Sequence, residues 1–392
     1  MTTNRLRVDG GLHSLRVLMI SKALVVGAYH AKLKELAGLD VELTAVVPSE
    51  WGGQKLEWVR PEGYEILVMR SAFNGTHHFH FFPGISRVIG AKEWDLVHID
   101  EEAFNVVTFH TLRACVKKGR KAVFFTWQNI SKTYPPPFNY FESFSYKNAE
   151  GAIAGNQGVK EVLVERKFDK PIRVIPQFGV DPDFFRASGP SNLTAKLGVN
   201  DKFVVGFVGR FVKEKGVADL IQTLVSMPDH CVLLLVGSGP FEDALRKLST
   251  QLGVASRIRW VPRVSSLEMP EYMNSIDVLV LPSRTTPQWK EQFGRVLIEA
   301  MACQTPVVGS NSAEIPNVIG DAGLVFPEGD ISELVGCLRA LYEDPGLRAN
   351  LGVKGRERVL ERFTHRRIAE QTADFYRIVL EGPETKVFSE AC

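Results

Sequence analysis

Short apolar runs alternate with amphipathic segments along most of the chain. In the first half, the runs LRVLMI, VELTAVV and KAVFF are separated by segments such as AYHAKLKELA and GVKEVLVERK, in which apolar residues recur at helical spacing. Continuous apolar strands that alternate with helices are typical of a parallel sheet covered by helices on both faces. The pattern therefore predicts an α/β protein.

This alternation lapses once and then starts again. Residues 177–192 read QFGVDPDFFRASGPSN, a segment rich in Gly, Pro, Asp and Ser that indicates a connector. Strand-like runs resume after it with KFVVGFVG, CVLLLVG, RIRWV, DVLVLPS and TPVVGS. We predict two Rossmann-like domains, an N-terminal one over residues 1–185 and a C-terminal one over residues 186–370. Residues 371–392 are predicted to be a C-terminal helix and tail, and we expect the helix to return toward the N-terminal domain.

The composition is that of an ordinary globular protein, and it narrows the possible partners. The 392 residues carry a formal net charge of only +2, so no strong field argues for a nucleic acid partner. The apolar run VLMISKALVV is interrupted by Lys22 and is too short to span a bilayer. The five cysteines contain no C-x-x-C pair and are expected to be reduced thiols, as in the cytosol. We expect a cytoplasmic protein, and peripheral contact with the inner face of the membrane stays open.

The first strand of the second half ends in a basic turn. In GFVGRFVKEKG, Gly209 and Arg210 follow the strand directly, and Lys215 lies five residues further on, before the next helix. Ligands of open α/β sheets bind beyond the carboxyl ends of the strands. An Arg fork and a Lys ammonium at such a strand end suit a diphosphate. A solvated charged turn would explain the same residues.

A later strand is followed by EQFGRVLIEAMA, which carries two glutamates around a helix start. If the helix begins near Gly294, its first backbone amides form an anion site that the helix dipole strengthens. These are the amides of Phe293, Gly294, Arg295 and Val296. Glu291 then lies in the loop before the helix, and Glu299 lies on the second turn with its side chain leaning back toward the N-terminus. Carboxylates accept hydrogen bonds from vicinal diols, so one glutamate can face each end of a nucleotide sugar. A surface helix with an unrelated acid on each side is the alternative.

Together these motifs resemble the retaining glycosyltransferases of family 4, whose GT-B architecture consists of two Rossmann-like domains facing across a cleft. The resemblance covers most of the chain and is carried by E-x7-E, GRFVKEKG, VGSGP and IPQFGVDPDFF, which occur in the family's order. It implies transfer of a sugar with retention of the anomeric configuration. It also implies a nucleoside diphosphate sugar as the donor substrate, no cofactor and no essential metal.

The resemblance further implies a role for individual residues. Arg210 and Lys215 would hold the donor diphosphate and stabilise the leaving phosphate, which would take the acceptor proton. Glu299 would bind the ribose hydroxyls, Glu291 the donor hexose, and the backbone of Val264 would border the nucleobase. We therefore predict Glu291, Arg210 and Lys215 as catalytic residues. The predicted donor-binding residues are Gly27, Gly209, Arg210, Lys215, Val264, Glu291, Phe293, Gly294, Arg295, Val296 and Glu299.

The first half departs from the family's pattern at the strand ends where acceptors bind. The loop ISKALVVGAYH supplies only Gly27, where members usually carry a glycine-rich loop. Where many members have a histidine, this chain has Trp127 and Gln128. Gln128 can orient a sugar hydroxyl but cannot act as a base, whereas Asp100 and Glu101 in VHIDEEAFN can. Asp100, Glu101 and Gln128 are therefore the candidates on the acceptor side.

Two other features resemble metal sites but have simpler explanations, and a third residue departs from the family's pattern. The histidines of residues 77–80 show no fourth metal ligand, and a loop that packs partly on the domain or lines the acceptor side explains them. Asp181 and Asp183 mimic a metal-binding D-x-D motif but lie in the connector, where turn residues are expected. Gln304 stands where the family usually has glycine, so we expect the turn there to close differently.

The favoured interpretation is transfer of a hexose from a UDP- or GDP-sugar to a saccharide or lipid-linked saccharide, in polysaccharide or cell-envelope biosynthesis. Two alternatives remain open. A nucleotide-sugar 2-epimerase of the same architecture is one, although the paired glutamates and the two cations favour transfer. A nucleotide-sugar-binding protein that has lost transfer activity is the other, prompted by Gln128 and the glycine-poor first loop.

Overall fold

The computed structural model describes residues 14–189 and 192–382. The chain divides into two compact units, one of Met1–Phe178 with Ile368–Cys392 and the other of Gly179–Arg367. The sequence placed the first boundary after residue 185, a few residues later in the connector. Of the C-terminal helix and tail predicted over residues 371–392, residues 383–392, which include Cys392, lie outside the described residues.

A parallel sheet forms the centre of the first unit. The strands of this unit, in chain order, are β1 (Leu15–Ile20), β2 (Val41–Pro48), β3 (Glu50–Trp51), β4 (Gln54–Lys55), β5 (Glu65–Met69), β6 (Leu96–Ile99), β7 (Ala122–Thr126), β8 (Gly151–Ala154) and β9 (Ile172–Val174). Apart from the antiparallel hairpin β3–β4, they form one sheet with the order β5-β2-β1-β6-β7-β8-β9 and parallel neighbours. The direction of strand progression reverses between β1 and β6, which is where open α/β sheets bind ligands.

Helices follow most of these strands, and local signals set their ends. They are α1 (His30–Ala37), α2 (Ile85–Ala91), α3 (Val106–Lys118), α4 (Phe138–Asn148) and α5 (Gln157–Glu165). The helix α5 is capped at its N-terminus by Asn156, whose side-chain oxygen accepts the N–H of Val159 at 2.9 Å. The helix α3 is followed by its C-cap Gly119, which has the left-handed φ of 64° that glycine adopts readily. The alternation of strands and helices that the sequence predicted is therefore confirmed.

The second unit repeats this architecture with a six-stranded parallel sheet. Its strands are β10 (Phe203–Val208), β11 (Cys231–Val236), β12 (Ile258–Val261), β13 (Val278–Leu281), β14 (Val307–Ser310) and β15 (Gly323–Phe326). Its helices are α6 (Asn192–Leu197), α7 (Val217–Thr223), α8 (Glu242–Gln251), α9 (Met269–Met273), α10 (Arg295–Ala302), α11 (Ile315–Ile319), α12 (Ile331–Glu343) and α13 (Pro345–Arg362). The strand order is β12-β11-β10-β13-β14-β15, so the switch point lies between β10 and β13.

The last helix, α14 (His365–Glu381), belongs to the first unit from Ile368 onward. It returns to the N-terminal unit as we expected, but it begins before residue 371, where the sequence analysis placed its start. Phe375 and Tyr376 are buried in the same core cluster as Val17 and Met19 of β1. The apolar stripe of α14 therefore completes the core beneath the first sheet.

The turn after α10 closes as it would with glycine, so the expectation for Gln304 was wrong. Gln304 has the left-handed φ of 60°. Its N–H donates to the carbonyl of Met301, and the N–H of Thr305 donates to the carbonyl of Ala300, both at 3.0 Å. These two bonds form a Schellman ending, and they offset the cost of placing a side chain in this conformation.

The connector after the first unit contains a turn that explains the D-x-D sequence. One side-chain oxygen of Asp181 accepts the N–H of Asp183 at 2.9 Å and that of Phe184 at 3.3 Å. The structural interpretation of this motif is therefore confirmed. Over residues 14–189 and 192–382, no group of three or more His, Cys, Asp or Glu side chains is arranged to hold a metal ion. Within the same ranges, every helix is too short or too polar to cross a membrane.

Candidate functional site

The switch point of the second sheet brings the basic turn after β10 next to Glu291. The Lys215 ammonium donates to Oε2 of Glu291 at 2.6 Å. The same oxygen accepts the hydroxyl of Ser283 at 2.8 Å, and Ser283 lies just beyond the carboxyl end of β13. Because β10 and β13 are adjacent parallel strands, residues 76 positions apart in the sequence meet at one edge of the sheet.

Close backbone packing holds the turn that carries Lys215. A single 3-10 turn over Lys213–Lys215 ends at Gly216, which has a φ of 66°. A Cβ atom on Gly216 would lie 1.9 Å from the carbonyl oxygen of Pro282, so a larger residue would displace the turn. The N–H of Arg284 also donates to the carbonyl of Glu214 at 2.7 Å. The turn after β10 is thus bound to the loop after β13.

Glycines also pack the loops after β10 and β11 against each other. A Cβ on Gly237 would lie 1.9 Å from the carbonyl oxygen of Gly209, and one on Gly239 would lie 2.3 Å from that of Phe211. The VGSGP motif therefore serves close packing at this edge of the sheet. The guanidinium of Arg210, next to Gly209, is exposed, and no described carboxylate forms an ion pair with it.

The helix α10 begins where the sequence predicted, and packing explains its first residue. Gly294 caps the helix with a φ of 77°. A Cβ there would lie 2.7 Å from a methyl carbon of Leu281, so the close approach that this glycine permits is to the end of β13. The amides of residues 293–296 lie in or beside the first turn, where the helix itself supplies no i−4 carbonyl partners.

Glu299 lies on the second turn of α10 and is paired with a cation on the same helix. Nε of Arg295 is 2.9 Å from a carboxylate oxygen of Glu299, and 13% of the glutamate side chain is exposed. Burial raises the pKa of Glu299, and the positive charge of Arg295 opposes that shift. A partly exposed carboxylate held in this way can accept hydrogen bonds from a diol.

Two of the predicted donor-binding residues lie apart from this cluster. Val264 is partly buried in the loop after β12, the edge strand two positions from β10 in the sheet. Gly27 belongs to the first unit. Its N–H donates to a carboxylate oxygen of Glu57 at 2.9 Å, and a Cβ on it would lie 2.8 Å from a methyl group of Val59. The backbone of Gly27 is therefore packed closely against residues 57–59 of the same unit.

In the first unit, Asp100 follows β6 at the switch point but is turned inward. One of its oxygens accepts the hydroxyl of Ser21 at 2.7 Å and the side-chain amide of Gln177 at 2.9 Å. Only 3% of the residue is exposed, and burial raises the pKa of its carboxyl group, against the opposing charge of Lys32. Lys32 is itself buried and donates to the carbonyl of Gln177 at 2.9 Å. Asp100 thus belongs to an internal polar network.

Glu101 is also buried, and two basic groups surround it. The side chain of Lys22 pairs with one carboxylate oxygen, and its backbone N–H donates to the other at 3.1 Å. Nε2 of His80 lies 3.5 Å from the carboxylate. Burial by itself would raise the pKa of Glu101, but Lys22 and His80 outweigh it and hold the pKa at about 2. His80 is fully buried, so the prediction that the histidine loop packs partly on the domain is confirmed.

Gln128 lies at the carboxyl end of β7 beside a glutamate that the sequence analysis missed. The Gln128 N–H donates to the hydroxyl of Thr126 at 3.1 Å, and its side-chain amide is 3.5 Å from the carbonyl of Ile130. Glu102 accepts from the hydroxyl of Thr126 and, at 2.8 Å, from the N–H of Trp127. Burial raises the pKa of Glu102, and its hydrogen bond from Thr126 opposes this. Its place directly after Glu101 was the available sequence signal.

Two units of this topology, each with charged residues at its switch point, define the class of two-domain Rossmann-like proteins. Two family models place the chain more narrowly. The family described as "Glycosyl transferases group 1" matches residues 191–358, and "Glycosyltransferase Family 4" matches residues 30–184. The chain belongs to these glycosyltransferases, as its motifs suggested.

Solved structures of glycosyltransferases share the GT-B fold with this chain. HepE from Anabaena in complex with UDP aligns with a TM-score of 0.71 at 19% identity, covering 93% of this chain and 99% of that one. Sucrose-phosphate synthase from Thermosynechococcus elongatus aligns with a TM-score of 0.70 at 20% identity, covering 93% of this chain and 98% of that one. At these low sequence identities, the structural similarity shows a shared fold and nothing more specific.

Curated relatives are similar over part of their length. The capsular polysaccharide biosynthesis glycosyltransferase CapM of Staphylococcus aureus is 32% identical over 193 residues, which are 48% of this chain and 49% of the relative. The alpha-maltose-1-phosphate synthase of Mycolicibacterium smegmatis is 30% identical over 261 residues, 62% of this chain and 66% of the relative. A GDP-mannose-dependent phosphatidylinositol monomannoside mannosyltransferase of the same organism is 32% identical over 199 residues, which are 48% of this chain and 52% of the relative. The chain thus spans about half to two thirds of the length of these relatives.

Proposed function

We propose that this protein transfers a hexose from a nucleoside diphosphate sugar to a saccharide or lipid-linked saccharide, with retention of configuration, in polysaccharide or cell-envelope biosynthesis. The observation that carries the proposal is the contact of Lys215 with Glu291 at the switch point of the second sheet. A cation and a carboxylate placed together, just before the start of α10, supply a partner for a phosphate and a partner for sugar hydroxyls.

In this proposal the cations bind the diphosphate and the carboxylates bind the two sugars of the donor. The exposed fork of Arg210 and the ammonium of Lys215 bind the diphosphate, together with the first amides of α10. Glu291 binds hexose hydroxyls, while Glu299 binds the ribose hydroxyls and Val264 borders the base. The donor is a substrate, and no cofactor or essential metal takes part.

The proposed chemical step is the one that the family resemblance implies. The bond between the anomeric carbon and the diphosphate oxygen breaks, and the acceptor oxygen bonds to the same face of that carbon. The acceptor proton passes to the leaving phosphate, so the protein needs no separate base. Lys215 and Arg210 act on the charge that develops on the leaving oxygen, which is an interaction stronger in the transition state than in the bound donor.

The nucleobase stays open between uracil and guanine. One relative is named as GDP-mannose-dependent, and HepE is bound to UDP in its solved structure. The first binding experiment therefore includes UDP and GDP, and also ADP as a nucleotide with a third base.

The test is a thermal-shift panel of UDP, GDP, ADP and their common sugar conjugates, with and without added Mg²⁺. We expect one nucleotide to stabilise the wild type without metal, because a ligand that binds only the folded state raises its melting temperature. Glu299→Ala removes the acceptor for the ribose hydroxyls. We expect the affinity of this variant for the nucleotide to fall about 10-fold, as for loss of a hydrogen bond to a charged group.

The matched control for Glu299→Ala is Glu242→Ala. Glu242 also forms an i,i+4 pair with an arginine, Arg246 on α8, at 2.7 Å, although here the glutamate precedes the arginine. If the effect at Glu299 is specific, the nucleotide should raise the melting temperature of Glu242→Ala as much as it raises that of the wild type. Absence of any shift in the wild type would contradict the proposal. Release of nucleotide together with solvent deuterium at the sugar C2, with no transfer to an acceptor, would favour the 2-epimerase instead.

A further inference from the structure

The Lys215 ammonium has an aromatic neighbour as well as its carboxylate. Nζ of Lys215 lies 5.1 Å from the ring centroid of Trp289, while it donates to Glu291 at 2.6 Å. An indole face attracts a cation at this distance more strongly than the other aromatic side chains do. Only 21% of the lysine side chain is exposed, so the two groups limit where the ammonium can go.

Hydrogen bonds fix the loop that carries Trp289. The N–H of Trp289 donates to the hydroxyl of Thr286 at 3.0 Å, and the N–H of Thr286 donates to the carbonyl of Trp289 at 2.8 Å. At the start of the loop, the guanidinium of Arg284 binds both carboxylate oxygens of Asp219 on α7, at 2.8 and 2.6 Å. The backbone that carries the indole is therefore held in a closed turn on an anchored loop.

Ser283 fixes the other side of the pair. Its hydroxyl is fully buried and donates to the Glu291 oxygen that also accepts from Lys215. Its carbonyl accepts the hydroxyl of Ser310, at the end of β14, at 2.5 Å. Ser283 is thus tied to the sheet and sets the position of the carboxylate.

We propose that Trp289 and Ser283 are positioning residues of the donor site, which hold the ammonium of Lys215 and the carboxylate of Glu291 in the geometry that the transfer step uses. This inference rests on the proposed function. An ammonium has three N–H donors, and the carboxylate takes one of them. With the cation held against the indole face, another N–H can meet the leaving phosphate without a search through lysine rotamers.

This arrangement predicts a loss of turnover larger than the loss of donor affinity. The charge on the leaving oxygen is greatest in the transition state, so a badly placed Lys215 affects kcat more than KM. A residue that served only the packing of the loop would lower the melting temperature without separating the two constants.

The test compares Trp289→Leu, Trp289→Phe and Ser283→Ala with the wild type. Release of UDP from UDP-glucose and of GDP from GDP-mannose gives kcat and KM, and calorimetry with UDP and GDP gives Kd. For Trp289→Leu we expect a kcat about 10-fold lower with KM and Kd within about 3-fold, from the size of a partly desolvated cation–π contact. Trp289→Phe keeps an aromatic face and should recover most of that loss. Ser283→Ala should resemble Trp289→Leu.

Two controls remove similar contacts elsewhere. Ser275→Ala deletes a largely buried hydroxyl that donates to the carbonyl of Glu271 at 2.8 Å. Lys92→Met removes a cation from the face of Trp94, where the distance is 4.4 Å. Both should leave kcat and KM unchanged.

The outcomes separate this inference from the proposed function. If the wild type binds UDP or GDP and Trp289→Leu turns over at the wild-type rate, the inference is overturned and the proposed function stands. Equal losses in Trp289→Leu and Trp289→Phe would overturn the role of the aromatic face. If the wild type neither binds these nucleotides nor releases them from the sugars, the proposed function fails, and the inference fails with it.

Discussion

The two units have the same kind of sheet, but they treat the charged residues at their switch points differently. In the second unit, Arg210 is exposed and Lys215 is 21% exposed. In the first unit, Asp100 and Glu101 lie at the equivalent edge of the sheet, but they are only 3% and 2% exposed. Their carboxylates accept hydrogen bonds from other groups of the same unit. At the edge of the first sheet the acidic side chains are buried in internal contacts, whereas at the edge of the second sheet the two cations remain exposed in whole or in part.

This difference shows that a charged residue at a strand end is not by itself a binding group. Around Asp100, hydrogen bonds join the end of β1, the end of β6 and the segment after β9, through Ser21 and Gln177. The side-chain oxygen of Gln177 also accepts the indole N–H of Trp127 after β7, at 3.0 Å. Such a network specifies how the strand ends meet, and its members are costly to remove singly. Lys22, Glu102 and Gln128 at that edge are partly exposed, whereas Asp100 and Glu101 are buried.

The largest expected effect is the loss of turnover on removing Lys215. We expect Lys215→Ala to lower kcat for nucleotide release about 100-fold or more, as for other groups that stabilise developing negative charge. Affinity for the nucleotide should fall less. Lys213→Ala, an exposed lysine on the same short turn, is the matched control and should stay near the wild-type rate. Wild-type turnover in Lys215→Ala would remove the main functional contrast between the two units.

Asp100→Ala should destabilise the protein without weakening nucleotide binding. The change leaves the hydroxyl of Ser21 and the side-chain amide of Gln177 without their acceptor, and it removes the negative charge that opposes the buried Lys32. We expect a loss of about 3 kcal/mol in the free energy of unfolding. Urea denaturation measures the loss, and calorimetry with the preferred nucleotide measures the binding.

The control for this prediction is Asp95→Ala. Asp95 accepts the backbone N–H of Arg16 at 2.8 Å and two N–H groups of its guanidinium at 3.1 and 2.9 Å. Because about one third of each side chain is exposed, we expect its removal to cost less than that of the buried Asp100. A variant Asp100→Ala that is as stable as Asp95→Ala, but inactive, would indicate that Asp100 contacts a substrate.

A smaller effect should appear in the pH dependence of stability through Glu101. Its pKa is held at about 2 in the folded protein, below its ordinary value of 4.5. The resulting stability is present above pH 4.5 and is lost as the pH falls toward 2. Between pH 5 and 3 we expect the wild type to lose about 2 kcal/mol more than Glu101→Gln does, by linkage.

Urea denaturation of both proteins at several pH values between 5 and 3 measures this difference. Glu62→Gln is the control, because Glu62 pairs with Lys34 at the surface, where more than half of each side chain is exposed. Its pH profile should follow that of the wild type. Parallel profiles for the wild type and Glu101→Gln would mean that the ion pair with Lys22 does not form in solution.

Much of the fold could be predicted from the sequence because the signals are local. Apolar runs mark the buried strands, helical spacing marks the helices, and the glycine before α10 marks its first residue. The basic turn after β10 and the two glutamates around the start of α10 were found in the same way, as short motifs at strand ends. Family membership followed from the order of those motifs along the chain.

The contacts of the site depended on tertiary structure. Lys215 meets Glu291 because β10 pairs with β13, and the order of strands in a sheet is decided by pairing over long sequence distances. Trp289 and Ser283 carried no recognisable motif, and their proximity to Lys215 follows from the path of one loop. The sequence could place Asp100 at a strand end, but not say that Ser21 and Gln177 would enclose it. Local patterns determined the elements and their class, and long-range packing decided which charges face one another and which are buried.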